Sequence, residues 1–226
     1  MISTTDSGRV LTVERTDDGS ATLYISALDE HYHSTKGALA ESLHVYIDTC
    51  WRQATRRGED VRVFEVGFGT GLNAALTAEA ALREKIPTVY ISVELHPLDV
   101  TTADMLGYDS LTPYYADVNR AEWGREVVIN PYFSLIKIAG NFLEMELPAN
   151  IDAVYYDAFA PEKQPEMWSE EIIDKLYSSM APGGTLTTYC AKGVIRRRLQ
   201  SAGFTVERLP GPANGKREIL RATREV

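Results

Sequence analysis

Three glycines at alternate positions, Gly67, Gly69 and Gly71, stand where the β-branched run Val61 to Val66 gives way to the helical pattern Leu72 to Leu82. Glycine turns at positive φ at little steric cost and lets a ligand reach main-chain N–H groups with no Cβ in the way. Strand, glycine turn and helix in that order make a cradle for a nucleotide or cofactor. Polar residues flank it, Glu65 before the loop and Asn73 after it. Three further apolar runs end in groups that could complete such a site. Ile91-Ser-Val ends in Glu94, 23 residues beyond Gly71, an acid able to accept hydrogen bonds from both hydroxyls of a ribose. Leu135 to Ala139 runs into Gly140-Asn141-Phe142, where an amide could read an adenine edge while the ring stacks on its face. Ala153-Val-Tyr-Tyr ends in Asp157. Taken singly, each polar residue could be an exposed loop residue or a helix cap. Four such endings in one chain are much harder to explain that way.

Those endings must be positioned by strands, because ligands of open α/β sheets lie at the strands' carboxyl ends. The patterning predicts strands near 61–66, 88–94, 134–139, 151–157, 184–190, 203–209 and 216–222, and helices near 71–84, 97–106, 114–124, 169–180 and 192–202. Such alternation implies a parallel sheet covered on both faces. Only Pro210 to Gly215 separates the last two strands, too short for a crossover helix, so that pair must be antiparallel. Upstream, Val10 to Thr16 and Ala21 to Ile25 read as a hairpin, followed by an irregular segment, Asp29 to Gly37. A helix from Ala38 to Arg56 then has Leu39, Leu43, Tyr46, Ile47 and Cys50 on one face. The division expected is an N-terminal extension, 1–58, packed on a core domain, 59–226.

Composition narrows the classes. No run of 18 apolar residues exists to span a membrane, and the N-terminus lacks the basic-then-apolar order of a signal peptide. Two cysteines without partners, Cys50 and Cys190, read as reduced thiols of a cytoplasmic protein. His31, His33, His44 and His96 are not spaced as a metal site, and His31 and His33 are expected to face solvent. Net charge is −9, yet Lys192 to Val226 holds nine basic residues against three acidic ones. That segment is +6 and the remainder −15. Lys192, Arg196, Arg197, Arg198, Lys216 and Arg217 are therefore candidates for phosphate contacts with RNA, which depend on a local patch rather than on the total. Arg196 to Arg198 could equally be a solvated helix face.

Nicotinamide dinucleotides and S-adenosylmethionine (SAM) both use this layout. The dinucleotide fingerprint is G-x-G-x-x-G. Here the third glycine comes one position earlier, as in the loop of SAM enzymes, and Glu65 suits an amino group better than a pyrophosphate. The chain resembles class I methyltransferases in strand count and order and in the Pro182-Gly-Gly184 turn before the fifth strand. The expected fold is thus α/β and Rossmann-like: a seven-stranded, mostly parallel sheet with an antiparallel C-terminal hairpin, plus the N-terminal hairpin and helix. The resemblance narrows at Tyr32 to Tyr46, at Phe64 to Asn73, at Tyr156-Asp-Ala-Phe-Ala-Pro-Glu-Lys-Gln-Pro-Glu-Met-Trp168, and at Gly215 to Arg221. These stretches look like the methyltransferase domain of the MnmC family.

That resemblance implies SAM as cofactor and tRNA as partner, with the 5-aminomethyl group of a wobble uridine, or its 2-thio form, methylated to 5-methylaminomethyl. It makes Asp157 the catalytic carboxylate. Glu65, Gly67, Gly69, Gly71, Asn73, Glu94, Asn141 and Phe142 become cofactor contacts, with Tyr32, Ser34 and Glu41 closing the cofactor pocket. Phe159, between Asp157 and the two prolines Pro161 and Pro165, would form a wall for the base. Trp168 reads as a core anchor. Bifunctional members carry a FAD-dependent oxidase domain for which 226 residues leave no room, so other enzymes are expected to supply the aminomethyl group, and the chain is expected to act as a monomer. The residues themselves leave open a transferase acting on a small amine, a SAM- or RNA-binding module without turnover, and an NAD oxidoreductase.

Overall fold

The computed structural model describes residues 2–4 (as backbone), 9–56, 60–213 and 215–225. The chain opens with a four-stranded antiparallel sheet of β1 (Ile2–Thr4), β2 (Val10–Arg15), β3 (Ala21–Ile25) and β4 (Glu30–His31), in that order. A long helix follows: α1 (Ala38–Glu41), a π-helical stretch Ser42–Trp51, and α2 (Arg52–Thr55). Its wider middle turns change which side chains meet the core. Val45, Tyr46, Ile47, Cys50 and Trp51 are buried, whereas Leu43, expected on the same face, is 38% exposed.

The rest is a doubly wound sheet. β5 (Val61–Val66) leads to α3 (Leu72–Glu84) and β6 (Thr88–Glu94), then to the short helices α4 (Val100–Asp104) and α5 (Tyr115–Arg120). Next come β7 (Glu126–Asn130), β8 (Phe133–Ala139), β9 (Ile151–Tyr156), α6 (Glu170–Ser179), β10 (Met180–Thr188), α7 (Gly193–Ser201), β11 (Phe204–Pro210) and β12 (Glu218–Arg224). The eight strands lie in the order β11-β12-β10-β9-β5-β6-β8-β7. All seven expected strands are present, and β11 and β12 pair antiparallel as their short connection requires. The eighth, β7, pairs antiparallel with β8 at the edge. Its alternation is weak because an edge strand need bury only part of one side; Val128 is 73% exposed.

Alternation along β5 and β9 sends successive side chains to opposite faces. Val61, Val63, Ala153 and Tyr155 join a core with the N-terminal hairpin, the long helix and α3. Phe64, Val66, Val154 and Tyr156 join a second core with α6 and α7. Leu11, Leu23 and Ile25 of the hairpin share the first core with α3, so the N-terminal elements pack directly on the sheet. The expected boundary near 58 lies outside the described residues.

Two register details bear on function. β10 begins at Met180 and absorbs the Pro-Gly-Gly turn as an irregularity, then ends at Thr188, releasing Tyr189 and Cys190 from the sheet. β12 starts at Glu218, opposite Pro210, two residues later than expected, which leaves Lys216 and Arg217 in the preceding loop.

Trp168 is a core anchor as expected: 1% exposed, edge-on to Tyr156, with Nε1 donating to the Phe159 carbonyl at 2.8 Å. Trp168→Ala should cost about 3–5 kcal/mol of stability, read as a lower urea midpoint. A loss under about 1 kcal/mol, the range of ordinary surface changes, would contradict that role.

Candidate functional site

The chain winds outward through β5, β6 and β8, then returns to start β9 on the other side of β5. The crevice between the carboxyl ends of β5 and β9 is thus the switch point where doubly wound sheets take ligands. The glycine loop and Asp157 emerge there side by side; a Cβ on Gly67 would lie 3.4 Å from the Asp157 carbonyl. Gly67, Gly69 and Gly71 all have positive φ, 92°, 52° and 79°.

Two cavities open at this switch point. The first, about 810 Å³ including its mouth, is lined by Gly67, Gly69, Asn73, Glu94, Asn141 and Phe142 among others. The second, about 620 Å³, is lined by Glu30, Ser34, Glu41, Tyr189 and Lys216 among others. Tyr32, His33, Asp157, Ala158 and Phe159 line both. Asp157 therefore stands where the two spaces meet.

Its carboxylate is held from two sides. Tyr46 Oη donates to Oδ1 at 2.5 Å, and Asn73 Nδ2 donates to Oδ2 at 3.0 Å. Burial pushes the Asp157 carboxyl up to about 6, against the lowering effect of the Tyr46 and Asn73 donors and of the Lys216 charge. Tyr46 was expected only as an apolar face residue; nothing in its spacing signals that its hydroxyl reaches Asp157. Tyr46→Phe should remove a donor that favours the charged carboxylate. The acid limb of kcat should then move to higher pH, with kcat at neutral pH falling by up to about tenfold. An unmoved limb would show that Tyr46 does not tune Asp157.

Several expected contacts take other places. Glu65 does not line the cavity: it is fully buried behind Asn73, accepting from Asn73 Nδ2 at 3.0 Å and from Ser92 Oγ at 2.8 Å. Burial raises its carboxyl to about 8. The strand's alternation turns Glu65 beneath α3, where it braces Asn73. Gly71 also stands back from the cavity. It is the left-handed residue that opens α3, and a Cβ there would come within 2.8 Å of the Phe68 ring. Ser34 and Glu41 line the second cavity, not the first, because Glu41 Oε2 accepts the Ser34 N–H at 2.8 Å and draws that segment toward it. Phe142 lines the first cavity but is only 4% exposed and packs against Phe64 and Tyr156; Asn141 caps its own turn through Leu143 N and Glu144. His33, expected to face solvent, is buried with Nε2 2.7 Å from Thr70 Oγ1, linking the 32–34 segment to the glycine loop, and burial lowers it to about 4.

Glu94 ends β6 at the first cavity. It accepts from Gly69 N at 2.9 Å and His96 N at 2.8 Å, which fixes its carboxylate beside the loop. Phe159 lines both cavities and meets the Tyr32 ring edge-on at 5.7 Å. The loop that carries it is tied by Tyr189 Oη to Ala158 O at 2.8 Å and by Phe159 N to Gln164 Oε1 at 3.2 Å.

The basic segment is largely spent internally. Lys192 pairs with Glu162, Arg198 donates to the Trp168 carbonyl at 2.6 Å, and half-buried Arg196 has a buried Nε without a partner among the described residues. Lys216, though exposed, lines the second cavity, its Nζ 3.6 Å from the Tyr189 ring centroid. Arg197 and Arg217 remain exposed and form no ion pair among the described residues.

The first cavity suits SAM in its chemistry. Glycines open the main chain to a ligand, Glu94 can receive ribose hydroxyls, and cavity-lining Asn73 has a buried Oδ1 with no partner among the described residues. No cluster of three potential metal ligands occurs among the described residues.

Comparison with known proteins agrees. Residues 134–225 match the model of the Methyltransf_30 family, described as S-adenosyl-L-methionine-dependent methyltransferase. The chain is 34% identical over 213 residues to the tRNA 5-methylaminomethyl-2-thiouridine biosynthesis bifunctional protein MnmC of Pseudomonas fluorescens, covering 85% of this chain and 32% of that protein. With the MnmC of Ectopseudomonas mendocina the identity is 36%, over 84% of this chain and 31% of the relative. The chain thus spans about a third of the length of the curated relatives it matches. Among solved structures, MNMC2 from Aquifex aeolicus superposes with a TM-score of 0.75 at 24% identity, covering 97% of this chain and 72% of that one. Spermidine synthase from Thermotoga maritima gives 0.65 at 12% identity, covering 100% and 72%. Both share the class I methyltransferase fold.

Proposed function

We infer that this chain, a homologue of one third of the MnmC proteins, is a SAM-dependent N-methyltransferase acting on the 5-aminomethyl group of a tRNA wobble uridine or its 2-thio form. The observation that carries the reading is the meeting of two cavities at one half-buried carboxylate, Asp157. One cavity has the loop and acid suited to SAM. The other is lined by Glu30, Glu41 and Asp157, which suits a cationic amine.

Methyl transfer to an amine needs a nitrogen lone pair aimed at an electrophilic carbon. SAM, when bound, supplies that activated methyl group. The protein must bind the amine as its abundant ammonium form, take a proton, and hold the nitrogen in line. Alkylamines titrate well above neutrality, near ~10 for a lysine-like group. Asp157, with its carboxyl near 6, is ionised at neutral pH and can orient the ammonium, draw off a proton and favour the positive charge that develops on nitrogen. Tyr46 and Asn73 fix the carboxylate from two directions, so its position is set before the acceptor arrives. Positioning of this kind can contribute about 7–11 kcal/mol to the rate. Phe159 and Tyr32 wall both spaces and limit water there.

Exposed Arg197 and Arg217, which form no ion pair among the described residues, are offered to tRNA phosphates, contacts that orient without reading sequence. The aminomethyl group must come from a preceding reaction on the same tRNA. On this reading the reaction takes place in the cytoplasm, with the chain acting as a monomer; among the described residues no helix is long and apolar enough to cross a membrane.

The test is incubation of the purified protein with methyl-labelled SAM and tRNA from cells lacking the modification, followed by mass spectrometry of the nucleosides. Label on 5-methylaminomethyluridine establishes enzyme, cofactor and acceptor together. SAM binding without label in tRNA would leave the fold intact and shift the acceptor to a small amine.

A further inference from the structure

The second cavity contains a carboxylate oxygen that the protein does not use. Glu41 is 8% exposed, and its Oε2 is committed to the Ser34 N–H at 2.8 Å. Its Oε1 has no hydrogen-bond partner among the described residues, although the residue lines the cavity. Asp157 is different: both of its oxygens already accept a bond, from Tyr46 and from Asn73. The cation in the cavity, Lys216, rests over the Tyr189 ring and makes no ion pair with Glu30, Glu41 or Asp157. Burial and the nearby Asp157 charge push the Glu41 carboxyl up to about 7, and a donor arriving at Oε1 would favour its ionised form. A primary alkylammonium carries three N–H donors, and Asp157, with one bond already accepted at each oxygen, has room for at most about two of them.

We propose that Glu41 is a binding residue for the acceptor amine: Oε1 receives one N–H of a primary alkylammonium, so that the cavity selects an aminomethyl group over a neutral hydroxymethyl group of similar size. This rests on reading the second cavity as the acceptor's. It moves Glu41 from the cofactor to the substrate and separates two duties. Asp157 addresses the nitrogen at the junction with the cofactor cavity, while Glu41 holds the ammonium from the acceptor side. A site built to pair a charged donor penalises an analogue that cannot supply it, because its own buried group is then left unpaired.

The measurement compares tRNA carrying 5-aminomethyluridine with tRNA carrying 5-hydroxymethyluridine, using wild-type protein, Glu41→Gln and Glu41→Asp. KM for the amine-bearing tRNA, inhibition by the hydroxymethyl tRNA and the Kd for SAM are determined for each. In the wild type the aminomethyl tRNA should bind about 10- to 100-fold more tightly than the hydroxymethyl tRNA. Glu41→Gln, which keeps an oxygen for the Ser34 N–H, should erase that preference and raise KM, with the SAM Kd within about twofold, too small a change to reflect a lost contact. Glu41→Asp, which keeps the charge, should recover part of the preference. An undiminished preference in Glu41→Gln would overturn the inference. So would a loss of SAM affinity with KM for the amine unchanged, which would return Glu41 to the cofactor. Absence of turnover by the wild-type protein would sink the function reading, and this inference with it.

Discussion

Asp157→Ala is expected to lower kcat by about 10²- to 10⁴-fold, the range for removal of a positioned acid–base group, while SAM affinity changes little. The carboxylate is placed at the junction of the two cavities and its nearest partners are Tyr46 and Asn73, so its loss removes charge from the reacting region without dismantling the glycine loop. Asp157→Asn should be nearly as inactive, since the amide keeps the shape and lacks the charge. Fold stability should fall little or even rise. The folded carboxyl holds its proton more tightly than the unfolded one, so ionisation detracts from stability as pH rises from 3.8 through about 6. The wild-type rate has the opposite dependence: it needs the ionised form, is present above about 6 and is lost as pH falls through that value. Stopped-time methylation assays between pH 5 and 9, with SAM titrated by calorimetry, measure both. An Asp157→Ala protein of normal kcat would remove Asp157 from the mechanism.

Gly69→Val should abolish measurable SAM binding. Gly69 lies at φ +52°, where a β-branched residue is strained, and a Cβ there would come 3.1 Å from Cδ1 of the Tyr32 ring. The N–H of Gly69 donates to Glu94 Oε2 at 2.9 Å, so any backbone shift that relieves the strain also displaces the acid meant for the ribose. The left-handed conformation alone costs about 1–2 kcal/mol for a residue with a Cβ, and the obstructed cavity adds to that in binding. A fall in Tm of a few degrees together with a SAM Kd raised by about 100-fold or more, equivalent to at least ~2.7 kcal/mol, is the expected result. Unchanged affinity would mean that the glycine loop is not the cofactor cradle.

The sequence by itself determined the scaffold and the identity of its ends. Hydrophobic period separates strands from helices over 61–224, and the connection Pro210 to Gly215 forces an antiparallel pair because no helix fits in it. Glycines at alternate positions, an acid after β6 and an acid after β9 are local signals, since strand direction alone carries each to the same edge of the sheet. Direction does not say which face a side chain takes or what lies behind it, and there the tertiary structure decided. Glu65 and Asp157 face the same side of the sheet and both accept from Asn73, yet Glu65 lies inside β5 under α3 while Asp157 lies one residue past the end of β9, at the cavity junction. Tyr46 reaches Asp157 across 111 residues of sequence, and the π-helical turns that aim it produce no periodic signature. Lys216 and Glu41 read as a surface cation and a pocket-closing acid until β12 starts two residues late and the Ser34 N–H draws Glu41 inward. Chemistry-bearing residue types can be read from local spacing. Their division between the two cavities depends on long-range packing, which no window of sequence contains.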